Sequence, residues 1–179
     1  MFEVLALGLV IVVMVAGLGL VVVHLLVSGR NKVPPVFTPV GVLDQVVEVL
    51  DLPVHGRLVD LGCGDGRVLE AVLARRPGLK ATGVENNPVV MGLAKARLKG
   101  RAELIRGQIE DRHFQGVQRV FAYLGPELMA RLEPRFEQEL PKGARVVSQQ
   151  FPLPGRKPDR VVELVGGKPH AAKLYVYDY

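Results

Sequence analysis

Two carboxylates and a run of glycines are the residues of this chain best placed to do chemistry. Asp60 stands two residues before the first glycine of Gly62-Cys63-Gly64-Asp65-Gly66, and Glu85 closes the next apolar stretch at Thr82-Gly83-Val84-Glu85-Asn86-Asn87-Pro88. The apolar run Leu58, Val59, Leu61 before the glycines reads as a buried strand, and Val68, Leu69, Ala71, Val72 and Leu73 after them as one side of a helix. Glycine at such a junction lets the backbone turn sharply and a ligand approach the main chain, while the new helix offers its N–H groups. The spacing is G-x-G-x-G, not the G-x-G-x-x-G of dinucleotide sites. A carboxylate at Asp60 repels a pyrophosphate and attracts an ammonium group. S-adenosylmethionine carries an ammonium group and a ribose but no phosphate, and is the cofactor this pattern predicts. Asp60, Gly62, Cys63 and Gly64 are then its binding turn, and Glu85, with Asn86 beside it, takes the ribose hydroxyls.

The remaining polar candidates carry less. Cys63 is the single cysteine, so no intrachain disulfide forms, and its place inside the turn suits a small packing residue. His55, His113 and His170 share no motif, and no metal site is expected.

The elements that must hold these residues follow an alternating pattern. Thr38-Pro39 reads as an N-cap and first-turn proline for a helix whose Val42, Leu43, Val46, Val47 and Leu50 recur at helical spacing. Strands are predicted at Leu58–Leu61, Lys80–Val84, Ala102–Arg106, Gln118–Tyr123 and Ala144–Gln149. Helices are predicted from Asn87-Pro88 to about Lys99, and from Pro126 to Leu140 with an interruption at Pro134. Arg160–Val165 and Ala171–Tyr177 flank Gly166-Gly167-Lys168-Pro169 and are predicted to pair as an antiparallel hairpin. The fold class is therefore α/β, a doubly wound seven-stranded mixed sheet, Rossmann-like, preceded by an N-terminal transmembrane helix.

That last element rests on the stretch from Val4 to Val27, which lies in a segment with no charged residue between Glu3 and Arg30. As a helix it measures about 36 Å, against a hydrocarbon core of about 30 Å. A signal peptide needs a basic start, and Met1-Phe2-Glu3 carries an acid, so an uncleaved anchor is expected. Arg30 and Lys32 follow, which puts the rest of the chain on the cytoplasmic side of a single-pass membrane protein. The expected divisions are 1–28 anchor, 29–38 linker and cofactor-covering entry, and 39–179 catalytic domain. All 23 Lys and Arg lie from Arg30 onward, against 17 acids once Glu3 is taken from 18, leaving about +6 there. Such charge next to a membrane attracts anionic lipid headgroups. Nucleic acid is not expected as a partner, because the basic residues are scattered and Trp is absent, so no stacking platform is visible.

The order of Asp60-Leu61-Gly62-Cys63-Gly64-Asp65-Gly66, Glu85 and a terminal hairpin resembles the class I S-adenosylmethionine-dependent methyltransferases. Within them, Val33-Pro34-Pro35-Val36-Phe37-Thr38-Pro39 is similar to the proline-rich entry of the ATP synthase c-subunit lysine methyltransferase family and its archaeal protein-lysine relatives. So are Val120-Phe121-Ala122-Tyr123-Leu124-Gly125-Pro126-Glu127-Leu128-Met129 and Phe151-Pro152-Leu153-Pro154. The resemblance implies a protein-lysine N-methyltransferase whose protein substrate offers an accessible lysine, such as one on a membrane protein, with Phe37, Thr38 and Pro39 closing over the cofactor. It leaves open a methyltransferase for a membrane-soluble quinone or lipid, and a non-catalytic cofactor-binding protein. The chain departs from the wider pattern at Gly107-Gln108, where an acid is usual, which moves adenine recognition to Gln108 or to Glu110 and Asp111. Tyr123 is the candidate catalytic residue, an aromatic that suits an amine and a sulfonium; the other reading is a core aromatic at a strand end. A lysine must be neutral to attack, which costs about 4.6 kcal/mol at pH 7 from a reference pKa near 10.4. A dry pocket beside a sulfonium supplies most of that without a dedicated base.

Overall fold

The computed structural model describes residues 2–28, 36–166 and 172–179, with the side chains of 8–22 in the first stretch. Arg30, Lys32, Val33-Pro34-Pro35 and the hairpin-turn residues 167–171, His170 among them, lie outside the described residues. The chain divides into two compact units, Met1–Pro35 and Val36–Tyr179.

The first unit holds α1 (Phe2–Ser28), a helix of 27 residues. The side chains described in it, at 8–22, are exposed throughout. Among the described residues no helix is long and apolar enough to cross a membrane.

In the second unit a 3-10 turn at Val40–Val42 leads into α2 (Leu43–Leu50), β1 (Arg57–Leu61), α3 (Arg67–Arg75), β2 (Lys80–Glu85) and α4 (Pro88–Leu98). Then come β3 (Glu103–Arg106), a 3-10 turn at Ile109–Asp111, β4 (Arg119–Ala122), α5 (Pro126–Glu139), β5 (Arg145–Gln149), β6 (Arg160–Glu163) and β7 (Lys173–Asp178). Among the described residues these strands form one seven-stranded sheet in the order β3-β2-β1-β4-β5-β7-β6. The first five strands run parallel, and β7 is antiparallel to both β5 and β6. The expected hairpin forms, but β7 inserts between β6 and β5.

Alternation along the strands sends neighbours to opposite faces. Leu58, Phe121, Val147, Leu174 and Val176 pack with Val46, Leu50, Leu69 and Val72 of α2 and α3. Val59, Leu61, Val120, Val146 and Tyr177 pack with Met129, Leu132 and Phe136 of α5. Gly83 is what lets the glycine turn lie this close to the sheet: a Cβ there would sit 2.7 Å from Cys63 Sγ and 2.7 Å from Leu69 Cδ1.

Two local expectations are corrected. Thr38 does not cap a helix; its hydroxyl donates to Gln149 Oε1 at 2.7 Å, and Pro39 enters the 3-10 turn with no side-chain cap. Pro134 does not interrupt α5, which runs unbroken through it. Leu132 and Phe136, either side of the proline, are fully buried, and their packing offsets the missing N–H.

Candidate active site

Asp60, the glycine turn, Glu85, Gln108, Tyr123 and Gln149 all stand at or just past the carboxyl ends of β1 to β5. The sheet reverses its winding between β1 and β4, the crevice where doubly wound folds take ligands.

Gly62, Gly64 and Gly66 have φ of +75°, +57° and +79°, a backbone path costly for any other residue. The turn's donors are used internally. Gly62 and Cys63 N–H both donate to Val84 O at 2.9 and 3.0 Å, Gly64 N–H to Glu85 Oε2 at 3.2 Å, and Gly66 N–H to Cys63 O at 2.9 Å. Arg67 N–H at the start of α3 donates to Asp65 Oδ1. Five N–H groups of this junction, those of Gly62, Cys63, Gly64, Gly66 and Arg67, are therefore already bonded within the chain. Cys63 is buried in the core, and burial, with the nearby carboxylates, pushes its thiol pKa up, so it stays a protonated packing group.

The three acids of the site divide by environment. Asp65 is pulled up by burial, but its hydrogen bonds and charge contacts with Arg67 and Arg97 outweigh that and hold it below the usual carboxylate range. Asp60 has no such partner. It is 2% exposed, its Oδ2 accepts no hydrogen bond among the described residues, and burial with the charges of Glu85 and Asp65 pushes its pKa up to about 8. A buried carboxylate oxygen lining a pocket with Gly62, Gly64 and Tyr123 fits the ammonium of the cofactor's methionine end.

Glu85 is half-buried; its Oε1 accepts from Asn87 N–H at 2.8 Å and its Oε2 from Gly64. Each oxygen keeps a lone pair for a ribose hydroxyl. Asn86 and Gln108 lie next to it, with Asn86 Nδ2 3.5 Å from Gln108 Oε1, so the structure brings these two candidate residues together beside Glu85. Tyr123 is half-buried just past β4 and lines the same pocket as Asp60; burial raises its phenol pKa, so it is neutral at physiological pH. Gly125 O is spent on the N–H groups of Leu128 and Met129, so that carbonyl serves α5, not an amine. Phe37 and Thr38 line the pocket, and Pro39 follows them into the 3-10 turn.

Sequence reasoning missed Arg67, Gln149 and Arg97, which hold this arrangement together. Arg67 follows the last glycine directly, and that position is a usable signal. Arg97 and Gln149 reach the site only through tertiary pairing.

The family model described as ANTKMT methyltransferase domain matches residues 60–160. A protein-lysine N-methyltransferase of Saccharolobus islandicus is 31% identical over 150 residues, covering 80% of this chain and 93% of that protein. The human ATP synthase c-subunit lysine N-methyltransferase is 32% identical over 124 residues, 66% of this chain, and the chain spans about half (52%) of its length. An RNA methyltransferase of Salinibacter ruber, solved in complex with S-adenosyl-L-homocysteine, superposes with a TM-score of 0.72 at 28% identity, covering 80% of this chain and 93% of that one.

Proposed function

The chain belongs to the ANTKMT methyltransferase domain family of S-adenosylmethionine-dependent enzymes, and from that premise we propose that it methylates the side-chain amine of lysine in a membrane protein. The observation that carries the site assignment is Asp60 Oδ2, a buried acceptor without a partner among the described residues, at the end of β1 beside the glycine turn. The lysine acceptor is supported by the names of the archaeal and human relatives, and the membrane setting by the uncharged stretch between Glu3 and Arg30.

When bound, the cofactor supplies an electrophilic methyl group on a sulfonium. Asp60 would hold its ammonium group and Glu85 its ribose, both at the carboxyl ends of neighbouring strands. Tyr123, neutral and half-buried, offers its ring face to the incoming amine and the sulfonium. A neutral lysine amine would form its N–C bond to the methyl carbon as the methyl–sulfur bond breaks, the electron pair going to sulfur and S-adenosylhomocysteine leaving, and the methylammonium would then give a proton to solvent. No side chain is assigned as general base, because desolvation beside a cation lowers the lysine pKa.

We further propose that α1 anchors the enzyme in a membrane with the catalytic unit on the cytoplasmic side. Supporting this are two features of the sequence, the uncharged stretch between Glu3 and Arg30 and the basic Arg30 and Lys32 after it. An accessible C-terminal tag on intact cells would reverse the orientation.

The test of function is incubation of the full chain with methyl-labelled cofactor and separate membrane, cytosolic and RNA fractions. Label should enter a membrane-protein band and be recovered as methyl-lysine after hydrolysis. Label in RNA, quinone or lipid would replace the acceptor; no label in any fraction would leave a binding protein.

A further inference from the structure

Residues 36–39 form a strap across the cofactor turn, and two separate fasteners hold it. One is Thr38, whose hydroxyl donates to Gln149 Oε1 at 2.7 Å in a bond closed to water, with Thr38 4% and Gln149 0% exposed. The other is Arg67. Its Nε and Nη2 donate to the two oxygens of Asp65 at 2.9 and 2.8 Å, its Nη1 donates to Thr38 O at 3.0 Å, and its guanidinium carbon lies 4.9 Å from the centre of the Phe37 ring. Asp65 is itself pinned by Arg97, which donates to its carboxylate at 2.9 Å and to its main-chain oxygen at 3.0 Å. The guanidinium is thus fixed at one end to the turn and holds the strap with the other.

The strap closes tightly. Phe37 ring atoms stand 2.9 and 3.0 Å from where a Cβ on Gly64 would be, so the ring rests on the turn's backbone. Phe37 and Thr38 line one pocket with Asp60, Gly64, Phe121 and Tyr123, so the strap covers the turn on the side where Asp60 faces the cofactor.

We propose that Arg67 and Gln149 are positioning residues that latch the strap, and that release of this latch gates cofactor entry and product exit. The fork geometry of arginine is what the latch needs: lysine keeps a charge beside Asp65 but cannot bond the carboxylate in two places and Thr38 O at once. Neither Arg67 nor Gln149 is assigned a contact to the reacting atoms, and Thr38→Val tests the strap without touching the pairing of Arg67 with Asp65.

The inference rests on the cofactor assignment, and the experiment separates the two. Labelled S-adenosylhomocysteine is bound to the full chain, and association and dissociation rates are measured for the unmodified protein, Arg67→Lys, Thr38→Val and the double variant, with thermal unfolding recorded alongside. Both rate constants should rise together by at least about fivefold in each single variant while their ratio moves less than about threefold, as expected for a gate. Faster dissociation with unchanged association would mean a lost contact and no gate. Unchanged rates in folded variants would overturn the latch alone, and no binding by the unmodified chain would overturn the cofactor assignment with it.

Discussion

Asp60 and Asp65 stand five positions apart in one turn, yet the pKa of one is pushed up to about 8 and that of the other is held below the ordinary carboxylate range. The difference is in partners: Asp65 faces Arg67 and Arg97, whereas Asp60 is buried beside the like charges of Glu85 and Asp65 and pairs with no cation among the described residues. Between pH 3.8 and about 8 the folded chain keeps a proton on Asp60 that the unfolded chain has lost, so this group's contribution to stability falls as pH rises through that window. Asp60→Asn should flatten that part of a pH series of urea unfolding curves and raise stability above pH 8. It should also weaken cofactor binding by about tenfold or more, the loss of one charged hydrogen bond. Because an ammonium favours the carboxylate, cofactor binding at about pH 6.5, below the raised Asp60 pKa, should release a proton from the native protein and none from Asp60→Asn. Calorimetry in buffers of different ionisation enthalpy reads this directly. Tyr123 makes a second residue-scale claim. Tyr123→Ala should cut methyl transfer by more than about tenfold while leaving cofactor affinity within about threefold, because its ring serves the reacting groups. Equal loss of both would make it a wall of the cofactor pocket only.

At the scale of elements, the glycine turn lies against β2 only because residue 83 has no side chain. Gly83→Ala puts a methyl group 2.7 Å from Cys63 Sγ and 2.9 Å from Leu104 Cδ2, and overpacking of this kind costs about 1–3 kcal/mol. The loss should be partly relieved in a Cys63→Ala background, seen as a non-additive double-mutant cycle in unfolding midpoints; strict additivity would show that the turn shifts as a body. This element boundary was readable in sequence, and so were α4 with Asn87 as its cap and the apolar strand β1, because each is written in residues that touch their neighbours along the chain. Asn87 Oδ1 accepts from Val89 and Val90 N–H, the local bond its position before Pro88 announces. What was not readable depends on distant pairing. Nothing around Thr38 shows that its hydroxyl will meet Gln149, 111 positions on, instead of capping a helix. Likewise Pro134 reads as a break locally and is carried by the burial of Leu132 and Phe136 in the finished fold. The insertion of β7 between β5 and β6 is a choice between sheet edges, and hairpin signals do not encode it.

For the whole molecule, the question is what α1 adds to a catalytic unit whose glycine turn, sheet and strap all lie from Val36 onward. If the proposed anchor holds, its contribution is concentration: enzyme and a membrane-embedded acceptor share a surface, and tethering turns a bimolecular search into a local one without any new contact at the site. The positive charge of the sequence after Arg30, about +6, adds attraction to anionic headgroups that salt weakens. Two substrates then separate anchor from chemistry. A chain beginning at Val36 should bind S-adenosylmethionine within about threefold of the full chain and methylate a soluble lysine peptide at a similar rate, since no residue of the pocket is removed. Against an acceptor reconstituted in anionic vesicles, the same shortened chain should be slower by at least about tenfold, the low end of what tethering supplies, with added salt narrowing the gap only slightly because the hydrophobic anchor, not the charge, dominates. Equal rates on vesicles would remove the anchor from the mechanism, and loss of cofactor binding on truncation would show instead that residues before Val36 support the pocket.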